Sequence, residues 1–209
     1  MSGEVGSKSE IVIVDDDAAV RETLSLIFSR EGYEVTCFAD GASFLAAARA
    51  RVPACILLDV YIPGRSGLDI LKDLNAGDYP APIFIISGQG DIPMAVDAIK
   101  HGALDFIEKP FSGSIVAARV RDAIAAWRFR ANHRPSEPVF DFAGRKPLTQ
   151  REGEVLAQLV TGASNKEAAR QLGISPRTIE IHRANIMTKL EAKNVADLVR
   201  IVMSERRSS

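Results

Sequence analysis

Residues 10–17 read Glu10-Ile11-Val12-Ile13-Val14-Asp15-Asp16-Asp17, four β-branched aliphatic residues running without a break into three carboxylates. An unbroken β-branched run suits a strand covered on both faces, because neither side of its pleat meets water. The acidic tripeptide then falls at the carboxyl end of that strand, where the chain leaves the sheet. Similar short apolar runs recur at Val35–Phe38, Ile56–Leu58, Ile83–Ile86 and Phe106–Ile107. Between them lie stretches with helical period. In the first, Val20, Leu24, Ile27 and Phe28 fall at i, i+4, i+7 and i+8, one stripe of a helix, and Gly32 follows where a terminating residue belongs. Further helices are predicted near residues 41–51, 66–75, 91–101 and 112–131. Strand and helix in regular alternation, joined by right-handed crossovers, predict a five-stranded, doubly wound parallel sheet of the α/β class.

The texture changes after residue 131. Asn132–Lys146, NHRPSEPVFDFAGRK, has prolines, a glycine and no helical period, and reads as a linker. Beyond it helix signals stand close together. Thr149-Gln150-Arg151-Glu152 and Ser164-Asn165-Lys166-Glu167 are capping boxes, and Ser175-Pro176 is an N-cap followed by proline at the first helical position. Gly162 and Gly173 fall where helices should stop. Helices are therefore predicted near 150–161, 165–172, 176–190 and 194–204. Small helices with short glycine-containing connections are what a helix-turn-helix needs. The domain plan is a tail over 1–9, an α/β domain over 10–131, a linker over 132–146 and an all-α four-helix domain over 147–205.

Bulk properties restrict the function classes. No apolar run approaches the roughly 20 residues that cross a bilayer, and residues 1–10 read as a polar tail instead of a secretion signal. Cys37 and Cys55 have neither CxxC spacing nor a nearby histidine, and read as buried thiols in a reducing compartment. A cytoplasmic protein without membrane attachment is the expectation. The formal net charge of −1 conceals an asymmetry: residues 1–130 hold 13 Lys and Arg against 18 Asp and Glu, whereas residues 131–209 hold 13 against 9. An acidic front and a basic back suggest a cation or phosphate site followed by a polyanion surface.

Four features share the carboxyl edge of the predicted sheet: Asp15-Asp16-Asp17 after the first strand, Asp59 after the third, Ser87 after the fourth and Lys109-Pro110 after the fifth. In open parallel sheets ligands bind at that edge, where the strand order reverses. Converging carboxylates raise one another's pKa, and a hard cation such as Mg²⁺ relieves the repulsion. Asp59 is then a carboxylate nucleophile able to take a phosphoryl group as an acyl phosphate. Lys109 would neutralise the phosphoryl oxygens, and Ser87 would offer one of them a hydroxyl.

The segments IVIVDDD, LLDVYIPGRSGLD, FIISGQGDIPMAV and GALDFIEKPF resemble the signature segments of receiver domains, most closely those of the FixJ subgroup of the FixJ/NarL response regulators. The resemblance spans residues 10–205 and implies a CheY-like receiver phosphorylated by a sensor histidine kinase. It implies Asp59 as phosphoacceptor, with Mg²⁺ held by Asp15, Asp16, Asp59 and the Tyr61 carbonyl. It implies Ser87 and Phe106 as a switch pair, and a cis Lys109–Pro110 bond. Ser87 stands where threonine is common and Phe106 where tyrosine is common; hydroxyl and bulk are both retained. A phosphoryl oxygen would draw the Ser87 hydroxyl inward and let Phe106 rotate into the interior, remodelling the surface of residues 91–131. Turning a 1:99 population into 99:1 asks about 5.5 kcal/mol of preference, within reach of several charge-assisted bonds. Tyr61 and Gln89 would flank the approach of hydrolytic water. Trp127 reads as a packing residue.

PLTQREGEVLAQLVTGASNKEAARQLGISPRTIEIHRANIMTKL resembles the LuxR-type helix-turn-helix. Over 176–190, the spacing of Ile179, Ile186 and Leu190 turns these inward and Arg177, Glu180, Ile181, Arg183, Ala184 and Thr188 outward. The outward set suits the major groove, with Glu180 accepting from cytosine N4 and Arg183 reaching guanine or phosphate. Asn165, Lys166, Ser175, Thr178, His182 and Lys189 are candidates for contacts to the DNA backbone. The resulting expectation is a transcription factor that dimerises on phosphorylation and reads two half-sites of double-stranded DNA, with RNA polymerase as a further candidate partner. It would be no enzyme beyond its own phosphorylation and dephosphorylation. Two alternatives stay open: a receiver-fold regulator working without phosphorylation, and a haloacid-dehalogenase-type phosphatase, whose opening motif Asp15-x-Asp17 mimics and whose nucleophile would be Asp15.

Overall fold

The first strand, β1 (Glu10–Val14), sits inside the sheet, and its four aliphatic residues are buried on both faces. The structure is a computed structural model, and it describes residues 9–77, 79–88, 92–132, 142 and 144–205. After β1 the chain alternates through α1 (Ala18–Arg30), β2 (Glu34–Phe38), α2 (Gly41–Ala50), β3 (Cys55–Asp59), α3 (Gly67–Asp73), β4 (Ile83–Ser87), α4 (Ile92–Lys100), β5 (Asp105–Glu108) and α5 (Gly113–Asn132). All strands pair in parallel in the order β2-β1-β3-β4-β5. β3 and β4 are buried along their whole length, as the unbroken apolar runs anticipated, whereas β2 at one end of the sheet is only partly covered. Cys37 on β2 is accordingly exposed, its Sγ 3.1 Å from Ser25 Oγ, which corrects the expectation of two buried thiols; Cys55 is buried.

The order reverses between β1 and β3, and that crevice is where Asp15 and Asp59 leave their strands. A glycine holds the crevice in shape. A Cβ on Gly67 would lie 2.2 Å from the Asp59 carbonyl oxygen, so the start of α3 approaches the end of β3 as closely as backbone allows.

At the other end of the sheet, Phe106 in β5 donates its N–H to Asp105 Oδ1 (2.9 Å), and its carbonyl accepts from Arg119 of α5 (3.0 Å). Arg119 also forms an ion pair with the fully buried Asp105 carboxylate. Side chains thus satisfy the central backbone groups of a terminal strand.

The second part of the chain holds α6 (Gln150–Val160), α7 (Asn165–Leu172), α8 (Pro176–Lys189) and α9 (Val195–Glu205). The two compact units part between Trp127 and Arg128. Both capping boxes form, at Thr149 and Ser164, and Ser175 caps α8 ahead of Pro176. Gly173 ends α7 in the left-handed region at φ 66°, and with Ile174 and Ser175 makes the turn between α7 and α8. Val155, Leu156, Leu159, Ala168, Ile179, Ile186, Leu190 and Leu198 form the core.

Arg119→Ala would remove the Arg119 ion pair from the buried Asp105 carboxylate and is expected to cost the first unit about 3 kcal/mol in urea unfolding. Arg121→Ala, which breaks an exposed pair with Glu31 at 3.2 Å, is expected to cost under about 1 kcal/mol in the same assay.

Candidate functional site

Asp15 and Asp59 are buried at the carboxyl ends of their strands, while Asp16 beside them is exposed. One carboxylate oxygen from each of the three lies within 4.8 Å of the others. The chain holds this repelling cluster together with a cation from β5's end: Lys109 Nζ is 2.7 Å from Asp15 Oδ2 and 3.3 Å from Asp59 Oδ1. The Lys109 N–H donates to the Ser87 carbonyl (2.8 Å), which ties that residue to the end of β4, and the Lys109–Pro110 peptide is cis. Asp15 is held further by its Oδ1, which accepts from Asp17 N–H at 2.9 Å. The Asp17 carboxylate turns away to cap α1 through Ala19 N–H (2.8 Å). Arg21 bonds the Asp15 and Asp16 carbonyls, fixing the loop from behind.

Burial, and after it the charge of Asp15, pushes the Asp59 carboxyl above the usual range, with Lys109 working the other way. Burial draws the Lys109 ammonium down, but bonding to Asp15 and the charges of Asp15 and Asp59 outweigh it, so Lys109 titrates above its ordinary value and remains a cation. Asp59 Oδ1 is buried and has no hydrogen-bond donor aligned on it among the described residues; Lys109 supplies charge there, not a directed bond. A buried carboxylate oxygen with no aligned donor, facing two further carboxylates, is part of an all-oxygen donor set, and the set fits a hard divalent cation.

Ser87 is fully buried beside this crevice, Phe106 is half-buried on β5, and Tyr61 is exposed just beyond β3. Gln89 lies outside the described residues. The indole N–H of Trp127 donates to the Pro80 carbonyl (3.2 Å). As for a dehalogenase reading, both Asp15 oxygens are already engaged, by Lys109 and by Asp17 N–H, which is a poor state for a nucleophile.

Residues 11–121 match the response regulator receiver domain, and residues 146–202 match the bacterial regulatory proteins of the luxR family. The chain is 43% identical over 199 residues to the transcriptional regulatory protein FixJ of Bradyrhizobium diazoefficiens, covering 94% of this chain and 96% of that one. It belongs to the response regulators. The response regulator protein TmoT of Ectopseudomonas mendocina is 40% identical over 93% of this chain and 88% of its own length. Among solved structures, full-length FixJ from B. japonicum matches with a TM-score of 0.56 at 43% identity, covering 94% of this chain and 96% of that one. The response regulator StyR matches with 0.55 at 34%, covering 95% of this chain and 100% of that one. This response regulator is thus a phosphorylation-dependent transcription factor, with a receiver in front and a LuxR-type DNA-binding domain behind. Among the described residues no helix is long and apolar enough to cross a membrane.

In the DNA-binding domain the structure corrects part of the predicted surface. Ile181 is buried (6% exposed) where it was expected to face outward. Thr178 and His182 are buried as well, and the Lys189 ammonium is engaged with Glu152 at 2.6 Å. The Ser175 hydroxyl caps Thr178 N–H (3.1 Å). The reason is that α8 packs against both α6 and α7, so its covered arc is wider than the single stripe of Ile179, Ile186 and Leu190. Arg177, Glu180, Ala184 and Thr188 remain exposed, Arg183 is half-exposed, and Arg177 pairs with Glu180 at 2.9 Å. On α7, Lys166 is exposed and Asn165 half-buried.

Burial, with the Arg151 and Lys189 charges adding to it, holds the His182 imidazole down at about 3, against 6.5 for a solvated one. Folding therefore requires it neutral. Below the unfolded value of 6.5 the unfolded chain binds a proton that the native domain refuses, so stability is intact above that pH and falls steadily towards pH 3. The expected loss is about 2 kcal/mol by pH 5, read by NMR-monitored urea unfolding of the second domain, and His182→Leu should flatten that dependence.

Proposed function

We propose that Asp59 is the residue that accepts the phosphoryl group, delivered by the phosphohistidine of a sensor histidine kinase, and that this event promotes dimerisation and operator binding in the cytoplasm. The observation that carries the reading is the Asp59 carboxylate itself. It ends β3 at the reversal of strand order, 3.3 Å from Lys109 Nζ, with Oδ1 buried and lacking an aligned donor. A carboxylate oxygen of Asp59 attacks phosphorus, the O–P bond forms as the P–N bond to the donor imidazole breaks, and the departing nitrogen keeps the electron pair. Burial favours this step, since a desolvated carboxylate is the more basic nucleophile. Lys109 stays protonated and sits where the equatorial phosphoryl oxygens collect charge.

Asp15, Asp16, Asp59 and the Tyr61 carbonyl are the groups that would hold Mg²⁺, which supplies charge neutralisation for the transferring group. The new phosphoryl oxygens then recruit the Ser87 hydroxyl from the end of β4. Phe106 is half-buried, and its backbone is bonded on both sides to side chains, so its ring can turn inward while the strand stays in place. The surface of α4, β5 and α5 changes, and a second copy of the chain pairs on it.

For DNA, Arg177, Glu180, Arg183, Ala184 and Thr188 of α8 form the reading face, and Asn165 and Lys166 on α7 approach the sugar-phosphate backbone. RNA polymerase is the downstream partner at a promoter. With acetyl phosphate and Mg²⁺, intact-mass and peptide spectra are expected to show one phosphoryl group on Asp59. A duplex selected from a random pool should bind about tenfold tighter after this treatment, with a steep loss as salt rises. Asp59→Asn should abolish both the adduct and the gain. Label on Asp15, or an Asp59 adduct with no change in self-association and DNA binding, would overturn the proposal.

A further inference from the structure

The carbonyl end of a helix leaves orphan acceptors, and a recognition helix that must meet base edges at a fixed angle needs that end held. In α8 the chain's own backbone serves part of it: Ala192 N–H bonds the Met187 carbonyl (2.9 Å) and Leu190 N–H the Ile186 carbonyl (2.9 Å). The carbonyl of Leu190, a fully buried residue, is served differently. It accepts from the guanidinium of Arg145, 45 positions earlier in the chain and ahead of α6. The next residue back, Lys189, turns its ammonium to the same stretch, 3.3 Å from the Pro147 carbonyl and 2.6 Å from Glu152 Oε2. Glu152 is buried, and its Oε2 also accepts Thr149 N–H (2.7 Å), so the cap that starts α6 and the pair that holds α8 share one carboxylate.

The helix before the turn is held alike. Arg151 Nη2 donates to the Leu172 carbonyl at the end of α7 (2.8 Å). Arginines at positions 145 and 151 thus reach the carbonyl ends of both helices of the helix-turn-helix, where a cation also meets the negative pole of each helix. Arg145 is itself fixed by a turn: its N–H donates to the carbonyl of the buried Phe142 (3.0 Å), with Gly144 in the left-handed region at φ 77°.

We infer that Arg145 is a positioning residue for DNA recognition: from the segment that precedes α6 it clamps the carbonyl end of α8 and sets the angle at which the reading face is presented, without touching DNA. This rests on α8 being the reading helix. Arg145 differs from a phosphate contact in a measurable way. A lost phosphate contact weakens binding to all sequences and lowers the salt slope by about 0.9, whereas a lost clamp weakens the selected sequence and leaves the slope alone. It differs from a purely structural residue because the ratio of specific to non-specific affinity changes in the folded protein.

The test uses the full-length phosphorylated chain, a duplex selected from a random pool by wild type, and a scrambled duplex of equal length. Arg145→Ala is expected to lose about tenfold in affinity for the selected duplex and little for the scrambled one, at an unchanged salt slope. Amide exchange should rise in the last turn of α8 but not at its Ser175 cap, which shows that the domain stays folded. Arg145→Lys, which keeps the charge at the helix end, should recover part of the loss. Unchanged affinity for the selected duplex in Arg145→Ala, equal losses on both duplexes, or a salt slope lower by about 0.9 would each overturn the inference. Glu180→Ala tests the underlying reading separately: if base preference in a repeated selection is unaltered, α8 is not the reading helix, whatever Arg145 does.

Discussion

Three carboxylates with an oxygen each within 4.8 Å of the others repel one another, and the first unit of this chain is organised around offsetting that repulsion in part. Lys109 reaches two of the three, which leaves two negative charges, the amount a single divalent ion carries. Other features follow from keeping this arrangement in place. Gly67 lets α3 come against the Asp59 carbonyl, Asp17 diverts its own charge into the cap of α1, and Arg21 fixes the loop carbonyls. A parallel sheet suits the task because strands from distant parts of the sequence end side by side: Asp15 and Lys109 are 94 positions apart and share a hydrogen bond.

The second unit answers a different demand. Its α8, the helix proposed to read DNA, must expose one face to a polyanion and bury the rest in a core of short helices. α8 does so with two polar residues in its interior, since Thr178 and His182 are among its buried residues. The Lys189–Glu152 pair ties α8 to α6, and Arg151 and Arg145 bond the carbonyls that end α7 and follow α8.

Most of the architecture was legible from periodicity, because unbroken β-branched runs and capping boxes are strong local signals; the predicted strands and helices agree with the observed ones within a residue or two. The acidic crevice could be read because its members fall at strand ends, and a strand end is visible in sequence. What could not be read were groups whose roles arise from three-dimensional crowding. Ile181 looked outward because a single stripe was assumed for α8, whereas contact with both α6 and α7 widens the buried arc. Cys37 looked buried because β2 was not known to end the sheet. Arg119 and Arg145 gave no sign at all, since an arginine reaching a backbone carbonyl many positions away leaves no periodic trace.

The treatment of β5 has a bearing on how crowded, activated protein behaves. Open-ended stacking of sheets needs two adhesive edges per molecule, one to give and one to receive. Here the central residue of the β5 edge, Phe106, already has both its main-chain groups occupied by Asp105 and Arg119. A strand adding at the middle of the β5 edge would have to displace both of these bonds.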